Sequence, residues 1–185
     1  MSPIEELSFE DVYEANFRAI YNYAFYRVRD IATADDLTAQ IFERALKHFG
    51  RYRPERAPVA VWLWAIARRV VQSHFARQRL IRWLPLDLFG DHSMGHSPET
   101  VVLERMDQQE LIAAFATLSA REQDLVALKF VGGLTNRQIA AIAGLSESNV
   151  GTIVSRALHR LRRILAGPIH GDIYVEPTLP QQSRR

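Results

Sequence analysis

The sequence LTNRQIAAIAGLSESNVGTIVSRALHRLRR, residues 134–163, decides the fold of the C-terminal part of the chain. Its pattern is two short helices joined by a tight turn and followed by arginines, which is typical of a helix-turn-helix. Thr135 and Gln138 have the spacing of a capping box, so the first helix is expected to begin directly after Thr135. Gly144 is expected to end that helix, and Ser146 to cap the second one.

The second helix of this motif is predicted to have one apolar and one polar face. Its apolar residues recur at helical spacing and are expected to be buried. They are Val150, Ile153, Val154, Ala157, Leu158, Leu161, Ile164 and Leu165. Short polar side chains near the start of such a helix can contact base edges, and arginines farther along can contact phosphates. The alternative is a pair of ordinary helices whose arginines are solvated, but capped starts, a glycine turn and one-sided charge together favour DNA binding.

The charges alternate in sign along the chain, although the net charge is only +2. Acids outnumber bases from residue 5 to residue 43, whereas from residue 44 to residue 82 Glu55 is the single acid among many arginines. Another arginine cluster lies at the end of the helix-turn-helix. Two basic segments in one chain predict two contacts with one nucleic acid.

The N-terminal half is predicted to be helical. A first helix is expected from about Phe9 to Arg29, with its aromatic residues in the core. A second is expected to open at Thr33 and Asp36 and to end at Gly50. The inner face of this second helix is predicted to comprise Leu37, Ile41, Phe42, Ala45, Leu46 and Phe49.

A basic loop and a tryptophan-rich helix follow. The segment RYRPERAPV, residues 51–59, contains two prolines and is predicted to be a loop. In the next helix Leu63, Val70 and their neighbours share one face, and Arg68, Gln72 and Arg79 lie opposite. At least one of the two tryptophans at its start is expected in the core. Aromatics interleaved with arginines also suit stacking on unpaired bases, and a solvated face is the alternative for the arginines.

Composition excludes several classes of protein. The 185 residues are 48% hydrophobic and contain no cysteine, so disulfides and thiolate metal sites within the chain are excluded. No apolar run is long enough to span a membrane and the first residues are acidic, so a cytoplasmic protein is expected. The histidines are scattered, and we predict no catalytic residues, no metal site and no cofactor.

The motifs resemble those of bacterial extracytoplasmic-function sigma factors, the group 4 members of the sigma-70 family. DDLTAQIFERAL, residues 35–46, resembles the family's helix that binds core RNA polymerase. APVAVWLWAIARRVV, residues 57–71, is similar to the segment after the loop that captures a flipped base. LSAREQDLVALKFVGGLTNRQIAAIAGLSESNVGTIVSRALHRLR, residues 118–162, is similar to the domain that binds the distal promoter element.

The resemblance implies an all-α fold with two small helical domains joined by a flexible linker. Residues 5–83 would form a sigma-2-like domain that binds polymerase and melts the −10 element. Residues 84–104 would be the linker, residues 105–166 a sigma-4-like helix-turn-helix domain that binds the −35 element, and residues 167–185 a flexible tail. The implied partners are core RNA polymerase, promoter DNA and an anti-sigma factor, with no membrane insertion.

The same resemblance, joined to the residue patterns, predicts three binding surfaces. The −35 surface comprises Arg137, Ser146, Ser148, Asn149, Thr152, Ser155, Arg156, His159, Arg160 and Arg163. The −10 surface comprises Tyr52, Arg53, Arg56, Trp62, Arg68, Arg69, Gln72 and Arg79. The polymerase surface comprises Asp35, Asp36, Gln40, Phe42, Glu43 and Arg44.

Two departures from the family pattern bear on DNA recognition. Arg69 stands where the family often has asparagine, and Gly151, Thr152 and Ile153 replace a frequent lysine-serine-arginine. Phosphate affinity is therefore expected to rest more on Arg156 and Arg160.

Two other functions are compatible with the residue patterns alone. A dimeric helix-turn-helix regulator with an N-terminal sensing domain predicts a homodimer that binds a palindrome without polymerase. A helical adaptor predicts no salt-dependent DNA affinity.

Overall fold

A computed structural model describes residues 7–83 and 106–166, with side chains from residue 7 to residue 80 and from residue 109 onward. These ranges contain seven helices and no strand, which confirms the all-α prediction. The helices are α1 (Phe9–Val28), α2 (Ile31–Phe49), α3 (Val59–Trp83), α4 (Met106–Ala116), α5 (Ala120–Phe130), α6 (Asn136–Ala143) and α7 (Glu147–Leu165). The linker and tail predicted from the sequence lie outside the described residues.

Short-range capping sets the ends of α1 and α2. Ser8 and Asp11 form a capping box at the start of α1. Arg29 ends that helix in the left-handed conformation, with φ of 58°, and the Asp30 carboxylate accepts a hydrogen bond from the Thr33 backbone N–H at 2.7 Å. The prediction that α2 opens at Thr33 was therefore wrong, because Asp30 is the capping residue and Thr33 already lies in the first turn.

The N-terminal domain packs α1, α2 and α3 around a common core. Ile20, Ile41 and Leu63 are fully buried in it. Leu46, predicted to face inward, is instead 57% exposed, because it lies one residue beyond buried Ala45 and so about 100° around the helix. Trp64 is 2% exposed, which confirms the expectation that at least one tryptophan belongs to the core.

The C-terminal domain contains the predicted helix-turn-helix. Thr135 and Gln138 form the capping box of α6, and Gly144 ends α6 with φ of 67°. The Ser146 hydroxyl then accepts a hydrogen bond from the Asn149 backbone N–H at 3.2 Å and caps α7. Val150, Val154, Ala157 and Leu161 are buried as predicted, whereas Ile164 and Leu165 at the end of α7 are 43% and 42% exposed.

The two domains contact each other through α1 with α5 and through α3 with α6. Gly132, between α5 and α6, lies where the Trp64 ring approaches. A Cβ atom at that position would come within 3.1 Å of Trp64 and 2.6 Å of the Leu128 carbonyl oxygen, so a side chain does not fit there. Trp64 therefore contributes to the contact between the domains as well as to the core.

Within the described ranges, no helix is both long and apolar enough to cross a lipid bilayer.

Replacing Gly144 with alanine is expected to lower the free energy of unfolding by about 1 kcal/mol, because an L side chain disfavours the left-handed conformation. Chemical denaturation followed by circular dichroism measures this change. Gly50→Ala is the matched control, since Gly50 ends α2 with φ of −63° and a Cβ there would meet no atom within 4 Å. Equal loss of stability in both variants would contradict the assignment of the turn.

Candidate nucleic-acid interface

The polar face of α7 is exposed to solvent. Ser148, Asn149 and Thr152 lie toward the start of the helix, and Arg156 and His159 follow them, all exposed. Ser155, Arg156, His159, Arg160 and Arg163 also line a shallow groove of about 680 Å³. The structure thus brings the predicted −35 residues of α7 onto one surface, with short polar groups at one end and cations at the other.

Two other members of the predicted −35 surface lie at its edges. Arg137 is exposed in the first turn of α6. Arg160 forms an ion pair with Glu122, with 3.0 Å between Nη1 and Oε2. Hydrogen bonds from Ser119, and secondarily the charge of Arg160, hold the pKa of Glu122 below its ordinary value. Because Glu122 is ionised at neutral pH, part of the Arg160 charge is compensated within the domain.

The predicted base-stacking residues Tyr52 and Trp62 pack against each other below the basic loop. Their ring centroids are 5.3 Å apart, and Tyr52 also stacks on Phe49. The Tyr52 hydroxyl donates a hydrogen bond to the Ala57 carbonyl at 2.9 Å, which closes the loop. Both rings are half-buried, so each retains surface on which a base can stack.

The remaining −10 residues differ in their exposure. Arg53 and Arg56 in the loop, and Arg69 and Arg79 on α3, are exposed. The Arg68 side chain is only 19% exposed, because its Nε donates to the Asp124 carboxylate of α5 at 2.7 Å.

Gln72 follows Arg68 on the same side of α3 and also contacts the C-terminal domain. Its amide donates to the same Asp124 oxygen at 3.4 Å. Arg68 further donates to the Ile142 carbonyl at 3.4 Å. Two residues predicted to hold the promoter strand are therefore engaged by the other domain.

The residue patterns did not predict a polar contact between the domains. The Tyr23 hydroxyl of α1 donates to Asp124 at 2.7 Å, and Arg27 donates to the Ala120 carbonyl and to Gln123. Burial, reinforced by the charge of Asp124, raises the pKa of Tyr23 well above its ordinary value, so the phenol stays protonated and donates. The available signal was the position of Gln123 and Asp124 directly before the apolar run 125–128, with which they are buried in α5.

The predicted polymerase surface lies on α2. Asp35, Asp36, Gln40, Glu43 and Arg44 are exposed there. The hydrogen bond and charge of Lys47 lower the pKa of Glu43.

Phe42 differs from the rest of this set because it is 6% exposed and packs against Tyr13 and Phe17 of α1. Its assignment as a direct contact is therefore corrected: it positions α2 rather than facing a partner. Tyr13 and Phe17, expected in the core, are 40% and 41% exposed, and with Leu46 they add apolar surface near the acidic helix.

Comparison with known families places these two domains in a defined class. Residues 12–81 match the family model for sigma-70 region 2, and residues 114–163 match the model for sigma-70 region 4. The class defined by the fold and its surfaces is therefore that of sigma-70-type transcription initiation factors.

Individual relatives define the family within this class. The chain is 32% identical to the sigma factor BldN of Streptomyces coelicolor over 159 residues, covering 85% of this chain and 60% of BldN. It is 30% identical to the sigma factor RpoE of Cereibacter sphaeroides over 130 residues, covering 70% of this chain and 68% of that relative. Both relatives are extracytoplasmic-function RNA polymerase sigma factors, and this chain belongs to the same family.

Solved structures share the fold. The sigma factor RpoE of Bartonella quintana, solved in complex with the anti-sigma factor NepR, superposes with a TM-score of 0.69 at 21% identity, covering 86% of this chain and 98% of that chain. CnrH, solved in complex with the cytosolic domain of CnrY, gives a TM-score of 0.62 at 18% identity, covering 86% of this chain and 88% of that chain.

Replacing Arg156 with alanine is expected to weaken binding of the full chain to duplex DNA and to reduce the slope of log affinity against log salt by about 1, because one phosphate contact is lost. Fluorescence anisotropy on mixed-sequence duplex over a potassium chloride series measures the slope. Arg162→Ala is the matched control: Arg162 is exposed on the same helix but outside the predicted surface. Identical slopes for the two variants would exclude a directional DNA-binding face.

Proposed function

We propose that this chain is a sigma factor that binds core RNA polymerase and directs initiation at promoters through the −10 and −35 elements. The observation that carries the proposal is the presence of both sigma-70 regions in order, each with an exposed cationic surface. We assign residues 5–83 to the −10 and polymerase-binding domain, 84–104 to the linker, 105–166 to the −35 domain and 167–185 to the tail.

In this proposal the C-terminal domain places the start of α7 in the major groove. Ser148, Asn149 and Thr152 would contact base edges, while Arg156 and Arg163 would contact phosphates. Exposure of the whole surface in the isolated chain supports this role, because no rearrangement of α7 is needed to reach duplex DNA.

The N-terminal domain would stabilise the opened strand. Extruding one base from the duplex costs a few kcal/mol. One stacking contact with an aromatic side chain offsets about 1–3 kcal/mol of this cost. Tyr52 and Trp62 supply aromatic surface beside the exposed Arg53 and Arg56, so stacking and phosphate contacts are available together. Arg68, Gln72 and Arg79 of α3 would extend the contact along the strand.

Docking on polymerase would use α2. The carboxylates of Asp35, Asp36 and Glu43 would meet a basic surface of the polymerase, and the neighbouring Tyr13 and Phe17 would add apolar contact. Catalysis of RNA synthesis belongs to the polymerase, so the chain acts in the cytoplasm as an initiation factor and not as an enzyme. By analogy with the Bartonella complex, we infer that an anti-sigma protein restrains it.

Reconstituted transcription tests the proposal. Core RNA polymerase and a promoter library, with and without the chain, are expected to give defined start sites only when the chain is present. Binding to palindromic duplex as a homodimer, with no new start sites, would instead favour a helix-turn-helix regulator.

Reversing charge on the polymerase surface should separate docking from DNA binding. Asp35→Lys is expected to weaken core polymerase binding at least about tenfold, because like charges would then oppose each other, and to leave duplex affinity of the free chain undiminished. Biolayer interferometry with immobilised polymerase measures the first quantity. Glu110→Lys on α4 is the control, because Glu110 is an exposed acid of the other domain and the charge change is the same. If it weakens binding as much as Asp35→Lys, docking through α2 is wrong.

A further inference from the structure

Besides the apolar contacts at Trp64 and between Tyr26 and Phe115, the two domains meet through polar side chains that are nearly inaccessible to solvent. Tyr23 is 0% exposed, Asp124 is 3% exposed and Arg27 is 6% exposed. Asp124 lies at the centre of this contact, because its two oxygens accept hydrogen bonds from Tyr23, Arg68 and Gln72. Three donors from α1 and α3 thus converge on one carboxylate from α5.

This carboxylate occupies part of the proposed −10 surface. The geometry of Arg68 Nε toward an Asp124 oxygen, at 2.7 Å, is that of a charge-assisted hydrogen bond to an anion, and a DNA phosphate would require the same donor. The C-terminal domain therefore competes with the promoter strand for Arg68, in the middle of α3.

The packed arrangement also conflicts with binding of both promoter elements at once. By their numbering the −10 and −35 elements lie about 25 base pairs apart, which is about 85 Å along duplex DNA at about 3.4 Å per base pair. A compact chain of 185 residues is about 40 Å across. Domains in direct contact cannot span that distance, so promoter binding through both requires them to separate.

The polar groups in this contact allow the two domains to separate at a small cost in free energy. A buried ion pair has little net stability relative to its hydrated partners. Among the described residues, Arg27 Nε is buried without a hydrogen-bond partner, and an open cleft of about 790 Å³ lies beside Arg27, Arg68 and Asp124. The interface is therefore specific in its pairing, but one buried donor is unsatisfied and solvent in the cleft lies close to the ion pair.

We propose that Asp124 is an intramolecular latch that holds the free chain in a closed form, withholds Arg68 from the promoter strand, occupies one hydrogen bond of the exposed Gln72, and releases both side chains when the domains separate. The inference rests on the proposed function, because it assigns these two side chains to the −10 surface. The latch is distinct from any anti-sigma protein, since both of its halves belong to this chain.

Distance measurements on the full chain test the closed form. The native sequence has no cysteine, so Ala15→Cys on α1 and Ala113→Cys on α4, both exposed, allow paired spin labels on the two domains. The latch predicts a single short distance in the parent chain and a longer, broader distribution in Asp124→Asn. Tyr23→Phe removes one hydroxyl donor and keeps the ring on Trp64, so a smaller change in the same direction is expected.

DNA binding by the same chains tests the function of the latch. Asp124→Asn is expected to bind a fluorescein-labelled mixed-sequence single strand about tenfold more tightly, which corresponds to a closed population of about nine molecules in ten. Glu110→Gln is the matched control, because Glu110 is an exposed acid of the same domain and its loss changes the net charge equally.

Unchanged label distances in folded Asp124→Asn and Tyr23→Phe would overturn the latch, as would wider distances with no gain in single-strand affinity over Glu110→Gln. Circular dichroism establishes folding of each variant. Failure of the parent chain to direct transcription, with label distances responding as expected, would overturn the proposed function and support the closed form. The two failures are thus distinguishable.

Discussion

The arrangement of the two domains depends on the carboxylate of Asp124. Its partners come from two helices of the other domain, so a single side chain fixes the orientation of α5 against both α1 and α3. Leaving one buried donor without a partner costs about 1–3 kcal/mol, so Tyr23 and Arg68 disfavour any packed arrangement in which Asp124 is displaced. In a separated arrangement water satisfies the same groups. The carboxylate therefore determines how the two domains pack together, but it adds little to the stability of the packed state relative to the separated state.

The three proposed binding surfaces differ in their solvent exposure while the two domains are packed together. The polar face of α7 and the acidic face of α2 are exposed, whereas Arg68 on α3 is 19% exposed. On the proposed function, duplex DNA and polymerase therefore have accessible contacts on the closed chain, and the promoter strand has an incomplete one. On the proposed function this implies an order of events, in which the exposed surfaces bind first and raise the local concentration of the strand around α3.

The parts of the structure that sequence predicted are those set by neighbours three or four residues apart. The capping box at Thr135 and the glycine turn at Gly144 depend on such contacts, and each was identifiable from residue type and spacing. Errors arose where two local signals competed or where a face ended. Asp30 and Thr33 are both capping residues by type, and Leu46 lies at the margin of an apolar face whose width is set by the helices packed against it.

The contact between the domains could not be predicted from residue type and local spacing. Tyr23 and Asp124 are 101 residues apart, and Arg68 and Asp124 are 56 apart. Periodicity indicates that a face is buried but not what covers it, so residue type and spacing could not identify the partners of Asp124. The same limit applies to Arg68: its position on a basic helix predicted DNA binding, and its exposure depends on a domain that periodicity cannot place.

The closed form has a thermodynamic consequence for regulation. A ligand shifts the equilibrium between closed and separated domains only by the difference in its affinity for the two forms. DNA bound at both promoter elements requires the separated form, so promoter binding by the polymerase complex draws the chain open. A protein that contacts both domains while they are packed together binds the closed form more tightly than the separated form. Such a protein therefore increases the closed population. Because the latch itself contributes little net stability, a modest difference in affinity is enough to decide which form predominates.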